Sequence, residues 1–95
     1  MRRLVILPAA AVDPDDIFAF IASDRPAAAG RLIEQLETAS RRLFRYPALG
    51  RPRTDVHPGL RVLPSGRYLI PYRAFGDRIE TIRYLHGARR WEALL

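Results

Sequence analysis

The segment between Pro26 and Pro47 constrains the fold more than any other, because its apolar residues recur at the spacing of one helix face. The apolar positions of this stripe are Ala28, Ala29, Leu32, Ile33, Leu36, Ala39, Leu43 and Phe44. Charged side chains fall mostly on the other side, so the pattern predicts one long amphipathic helix that Pro47 ends. Such a helix is stable when its apolar face packs on another element, and the rest of the 95-residue chain must supply that surface.

A strand and a shorter helix are predicted upstream of this helix. Residues 3–7 are rich in aliphatic side chains and precede Pro8, which indicates a short strand followed by a helical turn over residues 8–12. Asp13 and Pro14 suit the N-cap and the first position of a helix, and further acidic residues follow them. We therefore expect the first helix to run from Asp13 to about Ser23 and to form a hairpin with the second.

Three strands and a short terminal helix are predicted in the second half. The strand-like segments are residues 59–63, 67–74 and 78–85, with a hairpin turn at Gly76-Asp77 and the helix over residues 88–95. Tyr68, Ile70 and Tyr72 alternate onto one face, and Pro71 among them indicates an edge, a bulge or an outward-facing amide position. The order β-α-α-β-β-β predicts one α+β domain over residues 1–95, with an antiparallel sheet covered by a helical hairpin.

All sixteen basic residues are arginine, and the chain has neither lysine nor cysteine. P-loop and Schiff-base chemistry, disulfides, thiolate metal sites and cysteine nucleophiles are therefore excluded, and we expect no cofactor and no metal. Residues 41–95 carry a net charge of +8, which indicates an anionic partner, either nucleic acid or an acidic protein segment. No apolar run approaches the roughly 18 residues of a membrane helix, and residues 1–12 make a poor signal peptide. We expect a cytoplasmic protein with no membrane contact.

Several motifs, in one order along the chain, resemble the ParE branch of the RelE/ParE toxin superfamily. They are Leu7-Pro8-Ala9-Ala10 with Asp13 and Asp16-Ile17, Phe20-Ile21-Ala22, Pro26-Ala27-Ala28, residues 47–53, Gly59-Leu60-Arg61, residues 68–73 and residues 84–89. The chain departs from the family pattern at Pro14 and Pro71. The resemblance implies the toxin of a bacterial type II toxin–antitoxin module, neutralised by a ParD-like antitoxin. It further implies binding and inhibition of DNA gyrase, with operator DNA contacted only through the antitoxin.

The RelE-like branch, which cleaves mRNA on the ribosome, supplies the alternative function. Cleavage at a 2′-hydroxyl needs a base, an acid and cations on the phosphate. The candidate residues of this endoribonuclease reading are His86, Arg61, Arg83 and Tyr84. Glu80 shares a face with Tyr84 and His86 if its strand is regular. A histidine before a glycine more often has a structural role, and we therefore favour a toxin with no catalytic residue.

A toxin that acts by binding needs a surface, and the arginines of the sheet and tail supply a candidate. Arg61 and Arg73 are expected on one sheet face, close to the end of the last strand. The predicted partner-binding residues are Arg61, Arg73, Arg83, Arg89, Arg90 and Trp91. An acidic amphipathic antitoxin segment suits such a platform, with its leucines in the groove between the helices and the sheet and its carboxylates paired to the arginines. For Trp91 an alternative to partner binding stays open, namely that its side chain packs the tail onto the sheet. For the whole chain, a third reading is an arginine-rich binding domain that has lost toxicity.

Overall fold

The computed structural model describes residues 3–87 and 90–95. Its elements, in chain order, are β1 (Arg3–Ile6), α1 (Pro8–Ala22), α2 (Pro26–Arg45), β2 (Arg51–Pro52), β3 (Leu60–Ser65), β4 (Tyr68–Ala74), β5 (Arg78–Thr81), β6 (Leu85–His86) and a terminal 3₁₀ helix (Trp91–Leu94). The predicted α+β class and the order of the main elements are confirmed. The predicted start of the terminal helix, Ala88, lies outside the described residues.

The strands form one mixed sheet in the order β1-β5-β4-β3-β2, and β6 pairs with β4 beyond the end of β5. The pairs among β2 to β6 are antiparallel, as predicted. β1 runs parallel to β5, with Leu4 opposite Ile79, so the expectation of a purely antiparallel sheet does not hold at this edge. Parallel pairing needs a long connection, and here most of the chain separates the two strands.

The first helix begins at Pro8, well before the predicted start at Asp13. Pro8 and Pro14 both suit the first position of a helix, and the chain uses Pro8, with Leu7 as an extended N-cap residue. Pro14 therefore lies inside the helix, where its missing N–H leaves the carbonyl of Ala10 without the usual helical donor. The prediction was wrong because Asp13 is buried in a tertiary contact and does not cap the helix.

The main core lies between the helical hairpin and one face of the sheet, here called the helix-side face. Leu36 and Leu43 of α2 pack in it with Ile70, Tyr72 and Ile79 of the central strands. The predicted apolar stripe of α2 and the predicted inward face of β4 are therefore confirmed.

The opposite face of the sheet, the outer face, carries a smaller core. Leu60, Val62 and Leu85 pack there with Trp91 of the terminal 3₁₀ helix. Trp91 is only 6% exposed, so its side chain fastens the tail to the sheet. Of the two alternatives for Trp91, the packing role is the one that the structure displays.

A bulge accompanies Pro71 in the middle of the sheet. β4 pairs with β5 through Tyr72 opposite Thr81, and with β6 through Leu69 opposite Leu85. Two residues of β4 therefore face three residues of the neighbouring segment, which is a bulge, one of the three arrangements that the proline indicated.

The segment 82–84 contains the extra residue of the bulge. Beyond it, the alternation of side chains between the helix-side face and the outer face is therefore reversed. Tyr84 enters the main core, and His86 shares the helix-side face because it lies opposite Tyr68. Glu80 alternates with the buried Ile79 and lies on the outer face. The expectation that Glu80 shares a face with Tyr84 and His86 is wrong, because the strand between them is not regular.

Candidate partner-binding surfaces

A groove of about 430 Å³ separates α1 from the segment that leads into β6, and we call it the α1 groove. Its lining residues are Asp13, Asp16, Ile17, Phe20, Tyr68, Arg83, Tyr84, Leu85 and His86. Phe20 is 82% exposed, an unusual state for a phenylalanine. Arg83, Tyr84 and His86, which were predicted as site residues, therefore lie in one groove with α1. The sequence had not placed them beside this helix.

An ion pair lies in the lining of this groove. Arg83 donates through Nε and Nη2 to the two carboxylate oxygens of Asp13, at 2.8 and 2.9 Å. The backbone N–H of Tyr84 donates to the same carboxylate at 2.9 Å. The hydrogen bonds from Arg83 to Asp13 raise the pKa of the guanidinium. Arg83, predicted to bind a partner or a phosphate, thus has a partner inside the protein.

The aromatic residues of the groove are also held by internal contacts. The hydroxyl of Tyr84 lies 2.9 Å from Oγ of Ser40, and burial raises the pKa of this tyrosine. The rings of Tyr68 and His86 meet edge to face with centroids 5.2 Å apart. Burial raises the pKa of Tyr68 as well. Both tyrosines therefore resist ionisation, which disfavours them as proton acceptors.

Three of the four residues of the endoribonuclease reading meet in the α1 groove: His86, Arg83 and Tyr84. Arg61 does not line it. An RNA phosphate at Arg83 would have to compete with the carboxylate of Asp13, and Asp16 adds a second negative charge beside the guanidinium. The charges of the groove therefore oppose the phosphate binding that this chemistry requires.

Arg61 and Arg73 lie on opposite faces of the sheet, so the prediction of a shared face is wrong. Residues directly opposite each other in an antiparallel pair share a face. Arg61 is opposite Tyr72 of the main core, whereas Arg73 is opposite Leu60 of the outer face. A shift of one residue in register reverses every side chain of a strand, and the sequence pattern alone did not set this register.

Arg61 and Tyr72 hold the loop that follows α2. Nη1 of Arg61 donates to the carbonyl oxygens of Gly50 at 2.7 Å and Ala48 at 3.3 Å. The Tyr72 hydroxyl accepts the N–H of Gly50 at 2.8 Å and donates to the carbonyl of Pro47 at 2.7 Å. The loop is thereby fixed over the end of the sheet, and Arg61 has a structural role in addition to any contact with a partner.

A second groove, of about 590 Å³, lies on the outer face, and we call it the outer groove. Its lining residues are Leu49, Arg51, Arg53, Val62, Pro64, Leu69 and Trp91. Arg53 places its guanidinium carbon 5.0 Å from the centroid of the Trp91 ring and makes two hydrogen bonds of 2.9 Å to Asp55. Arg51 is exposed at the rim. None of the described lining residues is acidic, but Asp55 and Glu92, the latter at 3.7 Å, offset the charge of Arg53. The groove therefore combines a mostly apolar lining with the positive charge of Arg51.

The structure describes two of the three tail residues that were predicted to bind a partner, Arg90 and Trp91. Arg90 is exposed and immediately precedes the terminal 3₁₀ helix, whereas Arg89 lies outside the described residues. Within residues 3–87 and 90–95, no cluster of three histidine or carboxylate side chains could hold a metal ion. No helix in the same residues is long and apolar enough to cross a membrane.

The model of one protein family, described as the ParE toxin of the type II toxin–antitoxin system parDE, matches residues 4–91. The chain belongs to the ParE toxin family. The resemblance in its motifs is therefore confirmed, and the two grooves are features of a ParE toxin.

Individual relatives agree with this assignment. The protein Y4kP of Sinorhizobium fredii is 37% identical over 81 residues, which span 85% of this chain and 83% of that protein. Toxin ParE3 of Caulobacter vibrioides is 28% identical over 96 residues and is matched over 96% of its length. A solved chain of the chromosomal ParDE TA system from P. aeruginosa superposes with a TM-score of 0.79 at 24% identity. It covers 90% of this chain and 96% of its own, and it shows the same fold.

Twelve of the sixteen residues that line the two grooves were not predicted as site residues, among them Phe20, Arg51 and Arg53. A signal was present for these three, because all of them lie in motifs that carry the family resemblance. Phe20 lies among other apolar residues of the first helix. The sequence therefore did not indicate which of these side chains is exposed to solvent. Arg51 and Arg53 follow a proline- and glycine-rich connection, whose path over the sheet no local pattern specifies.

Proposed function

We propose that this chain is a toxin that a ParD-like antitoxin neutralises, and that it acts in the cytoplasm by binding and inhibiting DNA gyrase. The observation that carries the proposal is the match of the ParE family model to residues 4–91. A relative named toxin ParE3 and a structural neighbour from a ParDE system support it. The proposal assigns no catalytic residue, and operator DNA is reached only through the antitoxin.

The outer groove is the proposed contact for the antitoxin, in place of the groove between the helices and the sheet that the sequence suggested, because Asp13 and Asp16 line the α1 groove and disfavour an acidic segment there. Its apolar floor suits leucines of an amphipathic segment, and the exposed guanidinium of Arg51 suits carboxylates of the same segment. Arg73 lies on the same face and Arg90 at the start of the tail, so both extend the positive charge. Arg89 remains a proposed contact from the sequence.

We place the gyrase-binding surface on the same outer face, so that the antitoxin neutralises by covering it. This is the simplest arrangement for a small toxin whose positive charge is concentrated in residues 41–95. An antitoxin-bound toxin that still inhibits gyrase fully would refute the shared surface while leaving the target unaffected.

Plasmid supercoiling by purified gyrase tests the target directly, with the toxin added alone or with its antitoxin. We expect loss of supercoiling or trapped cleaved DNA, and its reversal by the antitoxin. A parallel assay of ribosome-dependent mRNA cleavage uses the same preparations. Cleaved mRNA with unaffected gyrase would overturn the proposal in favour of the endoribonuclease, and inactivity in both assays would overturn the gyrase target.

Two substitutions separate the readings further. Arg51→Glu should weaken antitoxin binding about tenfold, because it reverses a charge at the proposed contact. Arg25→Glu is the matched control, since Arg25 is exposed between the helices and lines neither proposed surface. His86→Gln should leave gyrase inhibition nearly unchanged, whereas it would abolish a nuclease that uses this histidine.

A further inference from the structure

The loop between α2 and β2, residues 46–50, contributes one side chain to the outer groove, that of Leu49. This side chain is 39% exposed, so it presents apolar surface at the groove. Arg51 of the same groove belongs to β2 and is held by pairing with Val62 of β3. Leu49 has no strand or helix to hold it, so its position depends on what fixes the loop.

Two side chains of the central strands hold the backbone on both sides of Leu49. Nη1 of Arg61 donates to the carbonyl oxygens of Ala48 at 3.3 Å and Gly50 at 2.7 Å. The hydroxyl of Tyr72 accepts the N–H of Gly50 at 2.8 Å and donates to a carbonyl earlier in the loop at 2.7 Å. These hydrogen bonds fix the path of the loop, and with it the place of Leu49.

The side chains that hold the loop are not themselves part of the groove. Tyr72 is 0% exposed and packs in the main core, so it cannot touch a partner. Arg61 lines neither the outer groove nor the α1 groove. Gly50 lies so close to the tyrosine that a Cβ would be 2.5 Å from Cε1 of its ring, so the loop rests on the ring as well as on the hydroxyl.

We propose that Arg61 and Tyr72 are positioning residues of the outer groove, which hold Leu49 where a leucine of the antitoxin segment packs against it. A contact that is already ordered loses less conformational entropy when the partner binds, so the complex is tighter. The inference rests on the proposed function, because its partner is the antitoxin assigned to this groove. Arg61, predicted from the sequence to contact the partner, acts through Leu49 instead.

Tyr72→Phe tests the positioning role without a change of charge. In the free chain, hydrogen exchange of the Gly50 amide should accelerate, because this N–H loses its acceptor. Titration calorimetry with the antitoxin used in the supercoiling assay should show an affinity about fivefold lower. Tyr84→Phe is the matched control, since it removes a buried hydroxyl that bonds to Ser40 and not to the loop. Unchanged affinity of Tyr72→Phe, or equal losses in both variants, overturns the proposal.

Leu49→Ala supplies a readout that a general loss of stability would not affect. Alone, it should weaken antitoxin binding about fivefold, because it removes the apolar contact. If Tyr72 acts through Leu49, the addition of Tyr72→Phe to Leu49→Ala should cause little further loss, since the two changes remove one interaction. Losses that simply add would show that Tyr72 affects binding independently of Leu49 and would overturn the proposal.

The arginine is tested against a second arginine of the same half of the chain. Arg61→Met removes a charge together with both bonds to the loop, and it should weaken antitoxin binding about tenfold. Arg67→Met removes the same charge at an exposed position that lines neither groove, and it should weaken binding less than about twofold. Equal losses would show only a long-range effect of charge and would overturn the role of Arg61.

Arg51→Glu separates failure of this inference from failure of the proposed contact. If Arg51→Glu and Leu49→Ala both leave antitoxin binding unchanged, the antitoxin does not use the outer groove, and the proposed contact fails together with the inference. If both variants weaken binding whereas Tyr72→Phe and Arg61→Met do not, the contact stands and only the positioning role is overturned.

Discussion

Asp13 and Arg83 are 70 residues apart in sequence, yet their side chains share two hydrogen bonds of 2.8 and 2.9 Å. The pair joins the first helix to the end of the last long strand segment. It also explains two departures from expectation: Asp13 does not cap a helix, and Arg83 is not available as an unpaired surface cation. This contact thus accounts for the buried position of Asp13 within α1 and for part of the lining of the α1 groove.

Replacement of this carboxylate should destabilise the protein. Asp13→Asn leaves the guanidinium of Arg83 without its counter-charge, and we expect a loss of about 2 kcal/mol in the free energy of unfolding. This is less than for a fully buried pair, because the Arg83 side chain is 25% exposed. Urea denaturation gives the value. Asp15→Asn is the control, with an expected change within about 0.5 kcal/mol, and equal effects of the two would contradict a specific ion pair.

Gly50 is required by the close approach of a tyrosine ring. A Cβ at this position would lie 2.5 Å from Cε1 of Tyr72, so Gly50→Ala must displace a ring that holds the loop through its hydroxyl. We expect a loss of about 2 kcal/mol. Gly30→Ala makes the same change inside α2, where nothing lies within 4 Å, and should stabilise by up to about 1 kcal/mol. Thermal unfolding of the two variants should therefore shift in opposite directions.

Alkaline pH should destabilise the fold through its buried tyrosines. Burial raises the pKa of Tyr72 and of Tyr84 in the folded chain above the value of about 10 for an exposed tyrosine. The folded state therefore retains protons that the unfolded state loses, so stability is unaffected well below pH 10 and falls as the pH rises through it. Each buried tyrosine contributes up to about 1.4 kcal/mol per pH unit.

The composition makes that measurement unusually clean, because the chain has no lysine and no cysteine to titrate in the same range. Urea denaturation between pH 8 and pH 11 should show the decline, and Tyr84→Phe should reduce its slope. An unchanged slope in Tyr84→Phe would mean that this tyrosine does not contribute.

Removal of the tryptophan should loosen the tail. Trp91→Ala deletes the largest side chain of the outer core, where it packs with Leu60, Val62 and Leu85. We expect a loss of about 3 kcal/mol, and a smaller one for Trp91→Phe. Leu94→Ala is the control, since Leu94 is 37% exposed in the same 3₁₀ helix. Wild-type stability of Trp91→Ala together with lost partner binding would assign Trp91 to an interface instead.

The sequence by itself determined the features that arise from interactions between residues close together along the chain. The stripe of α2 follows from a period of 3.6 residues and the inward face of β4 from a period of two. The missing N–H of Pro71 limited the strand there to an edge, a bulge or an outward-facing amide, and the bulge is the one found. The motifs that identify the family are also local. Each of these features is set by interactions within a few residues, and each was confirmed in the fold or by the family match.

Only the tertiary structure decided what depends on residues far apart in sequence. The choice between Pro8 and Pro14 as the helix start was settled by a carboxylate that bonds to Arg83. The placement of Arg61 and Arg73 on opposite faces depends on strand register. The opposite charges of the two grooves arise where separate segments meet. Such contacts form only once the chain has closed its long loops, so no local pattern records them.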